Sequence, residues 1–393
     1  MTKHESIGHP DRRDFQIASD GGGQWTRRPN AATTRSARLA ARSGRAPSGC
    51  TVGRRGGTSV TCAARPFAAT LGTPFYRLRS AADLVTLVLT LLSYGCPTQA
   101  IVAAFGLDER TVAAWVARGG TQAQRVHEHL VQQGQVDLGH VQADELWVKL
   151  VGRKVWLALA LAVPSRLWLG GAISQQRDLA LITGLVQQVR TCAATTDILV
   201  CVDGLASYVT AFLRVFRDPV RTGRRGRPRL VLGAGFQLGQ VIKHAAKRRV
   251  VGVTTRAVRG SLEAITAAVL ATGGGTGINT AYIERLNATF RSHLAPLVRR
   301  GRAIAHTEAL LTAGMWLVGS AYNLCWNHDS LRLAAPAGAD HKWLERTPAM
   351  AAGLTDHRWT MRELLHFQFP LPVWVPPKRR GRPPKSAAQA VAA

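Results

Sequence analysis

The chain has 393 residues, of which 46% are hydrophobic, with 51 Lys and Arg against 23 Asp and Glu and a formal net charge of +28. The length suits two or three domains, the apolar share is too high for a mainly disordered chain, and the charge points to a polyanionic partner. The longest apolar runs, Val155 to Val163 and Leu87 to Leu92, fall short of the roughly 18 residues that a membrane span needs. Met1 to Pro10 lacks the apolar stretch of a secretory signal, and the 6 cysteines contain no CxxC pair. The expectation is therefore a cytoplasmic nucleic-acid-binding protein with no membrane partner.

Residues 1–70 are rich in Arg, Gly, Ser, Thr and Ala and carry no apolar period, which predicts a basic, largely disordered arm. It serves either as a solvated tail or as a grip on phosphates. From Phe75 the pattern changes. Ala82 to Ser93 reads as an apolar helix ended by Tyr94-Gly95, and Thr98 to Phe105 as a second helix after Pro97. Gly106-Leu107-Asp108 makes a turn whose Asp108 caps a third helix, Glu109 to Arg118. Short helix, glycine turn, short helix is the helix-turn-helix layout, here over 75–130. Its last helix would offer Glu109, Arg110, Thr111 and Arg118 to a major groove, over a core of Ile101, Val102, Phe105, Val112 and Trp115. An ordinary three-helix bundle is the alternative.

A β-rich run follows from Gly139. His140 to Val151, Val155 to Val163 and Leu167 to Ile173 read as strands, Leu179 to Arg190 as a helix, Ile198 to Val202 as a strand and Leu205 to Phe216 as a helix. That order predicts an α/β domain over 138–330 with a mixed sheet flanked by helices. Residues 217–257, with a basic Gly/Pro-rich loop from Arg221 to Arg229, interrupt it and read as an insertion. Helices are expected over Ser261 to Ala271, Thr280 to Leu297 and Leu310 to Leu324, then an irregular basic tail, 331–393, with a short helix near Met361 to Phe367. Trp147, Trp156 and Trp168 read as core or rim residues on strands, and Cys192, Cys201 and Cys325 as buried thiols.

Three acids stand out by position. Asp144 lies in the first strand, Asp203 at the carboxyl end of an apolar strand, and Glu284 within a helix. An acid at the edge of a buried strand is costly unless it is paired, and ligands gather at the carboxyl ends of strands in open α/β sheets. Three hard carboxylates meeting there suit Mg²⁺ or Mn²⁺, and two such ions serve phosphodiester displacement. Local caps or salt bridges are the plainer role for each acid taken singly. Asn287 and Arg291 share the Glu284 helix face, where Asn287 would orient that carboxylate and Arg291 would hold a phosphate; a merely polar face is the alternative. Arg299 and Arg300 follow as backbone-contact candidates.

The segments Asp144-Glu145-Leu146-Trp147, Asp203-Gly204-Leu205-Ala206-Ser207-Tyr208 and Tyr282-Ile283-Glu284-Arg285-Leu286-Asn287-Ala288-Thr289-Phe290-Arg291 resemble those of DDE-class insertion-sequence transposases. The likeness is nearest the insertion-sequence-one branch of the ribonuclease-H-like superfamily and spans roughly 75–335. It implies a ribonuclease-H-like catalytic domain, a metal-binding catalytic triad of Asp144, Asp203 and Glu284, cleavage at the ends of a DNA element, and attack of the freed 3′-hydroxyl on target DNA. It also implies double-stranded DNA as partner and a homodimer or higher synaptic assembly. Two departures stand beside it. The interval from Asp203 to Glu284 is longer than in integrase-type members. Where relatives place a zinc ribbon, only Cys50 and Cys62 remain, too few for a four-ligand site, so no zinc is expected. A shifted reading frame or altered start over 1–60 would account for the degraded ribbon. The tail around Arg380-Gly381-Arg382-Pro383 resembles an AT-hook, with Arg380 and Arg382 suited to a narrow minor groove; Arg225-Gly226-Arg227-Pro228 is a second copy, and a solvated basic segment is the alternative. Rival readings are a non-catalytic DNA-binding relic, acting as repressor or architectural factor, and a nuclease for RNA–DNA hybrids.

Overall fold

The first elements follow the sequence closely. In the computed structural model, which describes residues 70–370 except 134, 222, 224–225, 247–248, 299–304 and 337–338, α1 spans Ala82–Ser93, α2 Thr98–Phe105 and α3 Glu109–His127. The expected arm over 1–70, save residue 70, and the AT-hook-like tail lie outside the described residues. Gly106 ends α2 with φ 62°, a left-handed conformation that glycine adopts without steric cost. Asp108 then caps α3, its side chain accepting from the Arg110 amide at 2.8 Å. Of the expected helical core, Ile101, Val112 and Trp115 are buried, whereas Phe105 is exposed. α2 has barely two turns, and Phe105 is its last residue, beside the glycine turn.

α3 runs well past Arg118, where the sequence reading ended it. Gly119-Gly120 does not break the helix because both glycines sit at helix–helix contacts. A Cβ on Gly120 would lie 2.4 Å from the Ala313 carbonyl oxygen, and one on Gly119 would lie 2.7 Å from a Leu89 methyl. A π-helical turn, Glu128–Gln132, follows.

Three antiparallel strands come next: β1 His140–Leu150, β2 Arg153–Ala162 and β3 Leu167–Ser174. Helix α4, Leu179–Cys192, leads to β4, Leu199–Asp203, which pairs parallel to β1 from His140↔Leu199 to Ala143↔Val202. After α5, Ala206–Val215, a separate ribbon forms from β5, Arg217–Val220, and β6, Arg229–Leu232. β7, Gln237–Ala246, pairs parallel to β4, and β8, Arg249–Arg259, antiparallel to β7. The result is a six-stranded mixed sheet in the order β3-β2-β1-β4-β7-β8.

The region expected as an insertion over 217–257 is thus divided. Only its first part is a side ribbon; Gln237–Ala246 is an integral parallel strand. Its buried part, Leu238 to Val241, carries Gly239 and Gln240 among its apolar residues, and the rest of the strand, Lys243 to Ala246, is exposed and polar or small, so no apolar run marks it.

Alternation along the strands sends apolar side chains to two helical layers. Val141, Ala143, Ala158, Ala160 and Ala162 pack with α4 and α5 residues such as Leu185, Val189 and Phe212. Leu146, Val148, Leu157, Leu159 and Leu161 face α7, Ala281–His293, and α8, Glu308–Leu324, through Ile283, Phe290 and Met315. This double coverage explains why β2 is almost wholly apolar. α6, Leu262–Ala271, covers a smaller cluster around Cys201 and Val241. Trp168 is fully buried.

The helices α1 to α3 share one core with the sheet, because Val88, Leu89, Ile101 and Trp115 join the same cluster as Val141 and Leu185. No separate core divides 75–130 from 138–330 among the described residues. The region expected to be irregular folds back on these helices. After a two-residue ladder of β9, Leu333–Ala334, and β10, Trp343–Leu344, come α9, Pro348–Ala351, and α10, Met361–His366. The Gln122 amide donates to the Phe367 carbonyl at 2.8 Å, and Phe75 stacks on His366. Cys192, Cys201 and Cys325 are buried free thiols, as expected. Among the described residues no helix is long and apolar enough to cross a membrane.

Candidate metal centre

β1 and β4 run side by side only as far as Ala143↔Val202. The next residue on each strand is an acid. β4 ends at Asp203, which caps the following turn by accepting from the Leu205 amide at 3.0 Å. β1 continues alongside β2 through Asp144 and Glu145. The carboxylates therefore collect where two parallel strands part, at the carboxyl end of β4 and midway along β1. Asp144, Glu145 and Asp203 each offer an oxygen within 4.8 Å of the others.

Each acid is held differently. Gln142, wholly buried two residues before Asp144, accepts from the Tyr282 and Ile283 amides at 3.0 and 3.1 Å and donates to the Asn279 carbonyl at 2.9 Å. It thereby pins the first turn of α7 to β1. One turn along, Asn287 donates from Nδ2 to Asp144 Oδ2 at 2.8 Å. Glu145 points to the other face, where Tyr208 donates its hydroxyl to Oε2 at 2.8 Å and Arg177 donates Nε to Oε1 at 2.5 Å. Arg177 Nη2 also lies 3.4 Å from Asp203 Oδ2. Glu284 stands in the first turn of α7, outside the tight cluster. Its Oε1 accepts from Thr280 Oγ1 at 3.0 Å and from Lys243 Nζ, on β7, at 2.5 Å.

The electrostatics follow from burial and like charge. Burial raises the Asp144 carboxyl to about 7, and the neighbouring charges of Glu145, Asp203 and Glu284 add to the rise. The last contribution places Glu284 within electrostatic reach of Asp144. Burial and Asp203 raise Glu145 as well, against the opposing bonds from Tyr208 and Arg177. Burial carries the Tyr208 hydroxyl well above its ordinary range. Lys243 is raised chiefly by its bond to Glu284. A carboxyl raised to about 7, first by burial and further by surrounding acids, is a group that a cation would relieve. The donor set is all oxygen, which fits a hard divalent ion such as Mg²⁺ or Mn²⁺.

Asp144 and Asp203 are thus brought together, and Glu284 faces them from the adjoining helix. Asn287 orients Asp144 rather than Glu284, because the α7 backbone sets it over β1. Arg291 is half-buried on the same helix. Arg110 is exposed and Thr111 half-buried in the first turn of α3. Arg118 Nη1 donates to the carbonyls of Pro74 and Tyr76 at 3.2 and 2.9 Å, so it ties down the chain ahead of α1. Arg299, Arg300, Arg380 and Arg382 lie outside the described residues. Glu145, Tyr208, Arg177, Lys243 and Gln142 were not anticipated. Glu145 had a signal, a second acid next to Asp144 in a strand. Arg177 and Lys243 come from distant segments with no spacing to reveal them. Neither known family models nor curated protein sequences match this chain.

Proposed function

We propose that this chain is a DDE-class transposase, with a ribonuclease-H-like catalytic core, that cuts and joins DNA at the ends of an insertion element. The observation that carries this reading is the meeting of Asp144 and Asp203 at the fork of β1 and β4, with Glu284 on the helix that Gln142 and Asn287 fasten there. A six-stranded mixed sheet flanked by helices on both faces supports it, and so do the +28 charge and the three sequence segments that carry the resemblance.

Asp144, Asp203 and Glu284 would hold Mg²⁺ or Mn²⁺, as two ions, supplying activation of the attacking hydroxyl and stabilisation of the leaving oxygen. Glu284 is a better third ligand than Glu145. The Glu145 side chain is 2% exposed and is satisfied by Tyr208 and Arg177, whereas Glu284 is 47% exposed. Its pair with Lys243 is half-exposed, and such pairs are worth only about 0.2–1 kcal/mol, so it would yield to a divalent ion. Asp144 would ligate as the carboxylate, with Asn287 holding Oδ2 in place. Arg110 and Thr111 at the start of α3 would read the duplex as part of a helix-turn-helix, and a homodimer or higher assembly would hold both element ends.

One observation favours the rival reading of a DNA-binding relic: Lys243 and Arg177 already neutralise Glu284 and Asp203. The deciding experiment incubates the full chain with a labelled duplex carrying the gene's own flanking ends and Mg²⁺. Nicks leaving 3′-hydroxyls at the ends, lost in Asp203→Asn and with chelator, are the expected result. Specific binding without cleavage would refute the catalytic reading and establish the relic.

A further inference from the structure

The face of β1 and β2 that carries Glu145 changes character along its length. Near α4 it is core, through Val141, Ala143, Ala158 and Ala160. Beyond Glu145 it opens. Trp147 pairs across the strands with Trp156, and Lys149 with Lys154. Trp147 is 52% exposed, both lysines are exposed, and Trp156 is half-buried. Lys154 Nζ lies 4.8 Å from the Trp147 ring centre and 4.1 Å from that of Trp156. Arg177 Cζ lies 5.2 Å from the Trp156 ring, and its Nη2 reaches Asp203 at 3.4 Å. Rings and cations thus run in an unbroken series from an exposed indole to the carboxylate cluster.

A tryptophan left half in water has no core role of the kind Trp168 fills. We propose that Trp147, backed by Lys154 and Trp156, is a stacking site for an unpaired base of single-stranded DNA beside the carboxylates. Every base has a π-face, and stacking on an aromatic ring is tolerant of sequence. Lys149 and Lys154 supply the charge for the adjoining phosphates. The acid on this face, Glu145, is shielded from a strand: its side chain is 2% exposed and bonded to Arg177 and Tyr208. An intact duplex keeps its ring faces stacked internally and offers an indole only edges and backbone, so the site selects unpaired DNA. The site extends the strand-cleavage reading and rests on it for what brings a single strand there; the base-binding chemistry stands apart from cleavage.

The test uses the full chain in metal-free buffer and fluorescence anisotropy with two probes, a labelled dT oligonucleotide and a blunt duplex of equal length. Trp147→Ala weakens binding of the dT oligonucleotide by about 5- to 150-fold, equivalent to ~1–3 kcal/mol per stacked base. Duplex binding stays within about twofold, and Trp147→Phe restores most of the loss, since a phenyl ring still stacks. Unchanged dT binding in Trp147→Ala, an equal loss on duplex, or no rescue by Phe overturns the site. Nicking of the duplex with Mg²⁺ is scored separately. Cleavage with no Trp147 effect sinks the stacking site alone, and a Trp147 effect in a chain that never cleaves sinks the transposase alone.

Discussion

One substitution made at two glycines should have opposite effects. Gly120 in α3 and Gly184 in α4 are both helical, and replacing an interior glycine by alanine ordinarily adds up to about 1 kcal/mol of stability. At Gly184 a Cβ meets nothing within 4 Å, so Gly184→Ala stabilises by about that amount. At Gly120 the new Cβ would stand 2.4 Å from the Ala313 carbonyl oxygen, 2.5 Å from its Cα and 2.6 Å from its Cβ. Carbon atoms pack at about 3.5–4.0 Å, so α3 and α8 would have to separate by roughly 1 Å. The obstacle is backbone, which no rotamer change relieves. Overpacking of this kind costs ~1–3 kcal/mol and occasionally more, which outweighs the propensity gain. Gly120→Ala is therefore destabilising by about 1–2 kcal/mol net. Urea unfolding followed by circular dichroism measures both variants. A neutral or stabilised Gly120→Ala would refute the close approach of α3 to α8, and with it the single core that joins the helices to the sheet.

The two buried histidines should cost stability in mild acid, against the raised carboxyls of Asp144 and Glu145, which gain stability over the same range. Burial lowers His127 and His140 from 6.5 to about 4, with Arg166 adding to the effect at His140 and the Leu169 carbonyl opposing it at His127. The unfolded chain therefore binds protons that the folded chain refuses. The stability from this source is complete above pH 6.5 and is lost as pH falls towards 4, on the order of 3 kcal/mol for each histidine. The test compares the wild-type chain with His127→Gln and His140→Gln: a urea midpoint that shifts between pH 7 and 4.5 by the same amount in all three would contradict this. Tyr208→Phe removes the hydroxyl that donates to Glu145 Oε2 and leaves a buried carboxylate oxygen short of a partner, at a cost of about 1–3 kcal/mol. An unchanged melting temperature would mean that bond is not made in solution.

The parts of the molecule visible in the sequence are those with a local cause. The apolar run of β2 announced a buried strand, Asp108 announced a helix start, and the acid at Asp203 announced a strand end where a ligand can gather. What escaped depends on pairing at a distance. β7 joins β4 through backbone bonds, with few apolar residues to betray it, so its stretch read as an insertion. The expected third helix ended at Arg118, because the reason for Gly120 to continue it, the close approach of Ala313, lies nearly two hundred residues further on. Gln142 gives no local sign of its task, since the amides it receives belong to Tyr282 and Ile283. Arg177 and Lys243 likewise meet their acids only through the tertiary fold. The identity of a carboxylate was legible; the cation facing it was not.

β8 is the outermost strand of the sheet, and among the described residues nothing pairs with its far edge. Val250, Val251 and Val253 are exposed along it. An open edge with valines on it is a template for another copy's strand. The guard is repulsion, from Arg249, Arg256 and Arg259 on the strand itself and from the net charge of +28. That guard reaches about 10 Å in 0.1 M salt and about 3 Å in 1 M. The same positive charge that would draw the protein to a polyanion keeps its copies apart, so saturating it with phosphate lowers the barrier to self-association. Colloidal stability and occupation of the charge by any polyanion are thereby opposed, and the protein should be least prone to clump when it is dilute and in low salt.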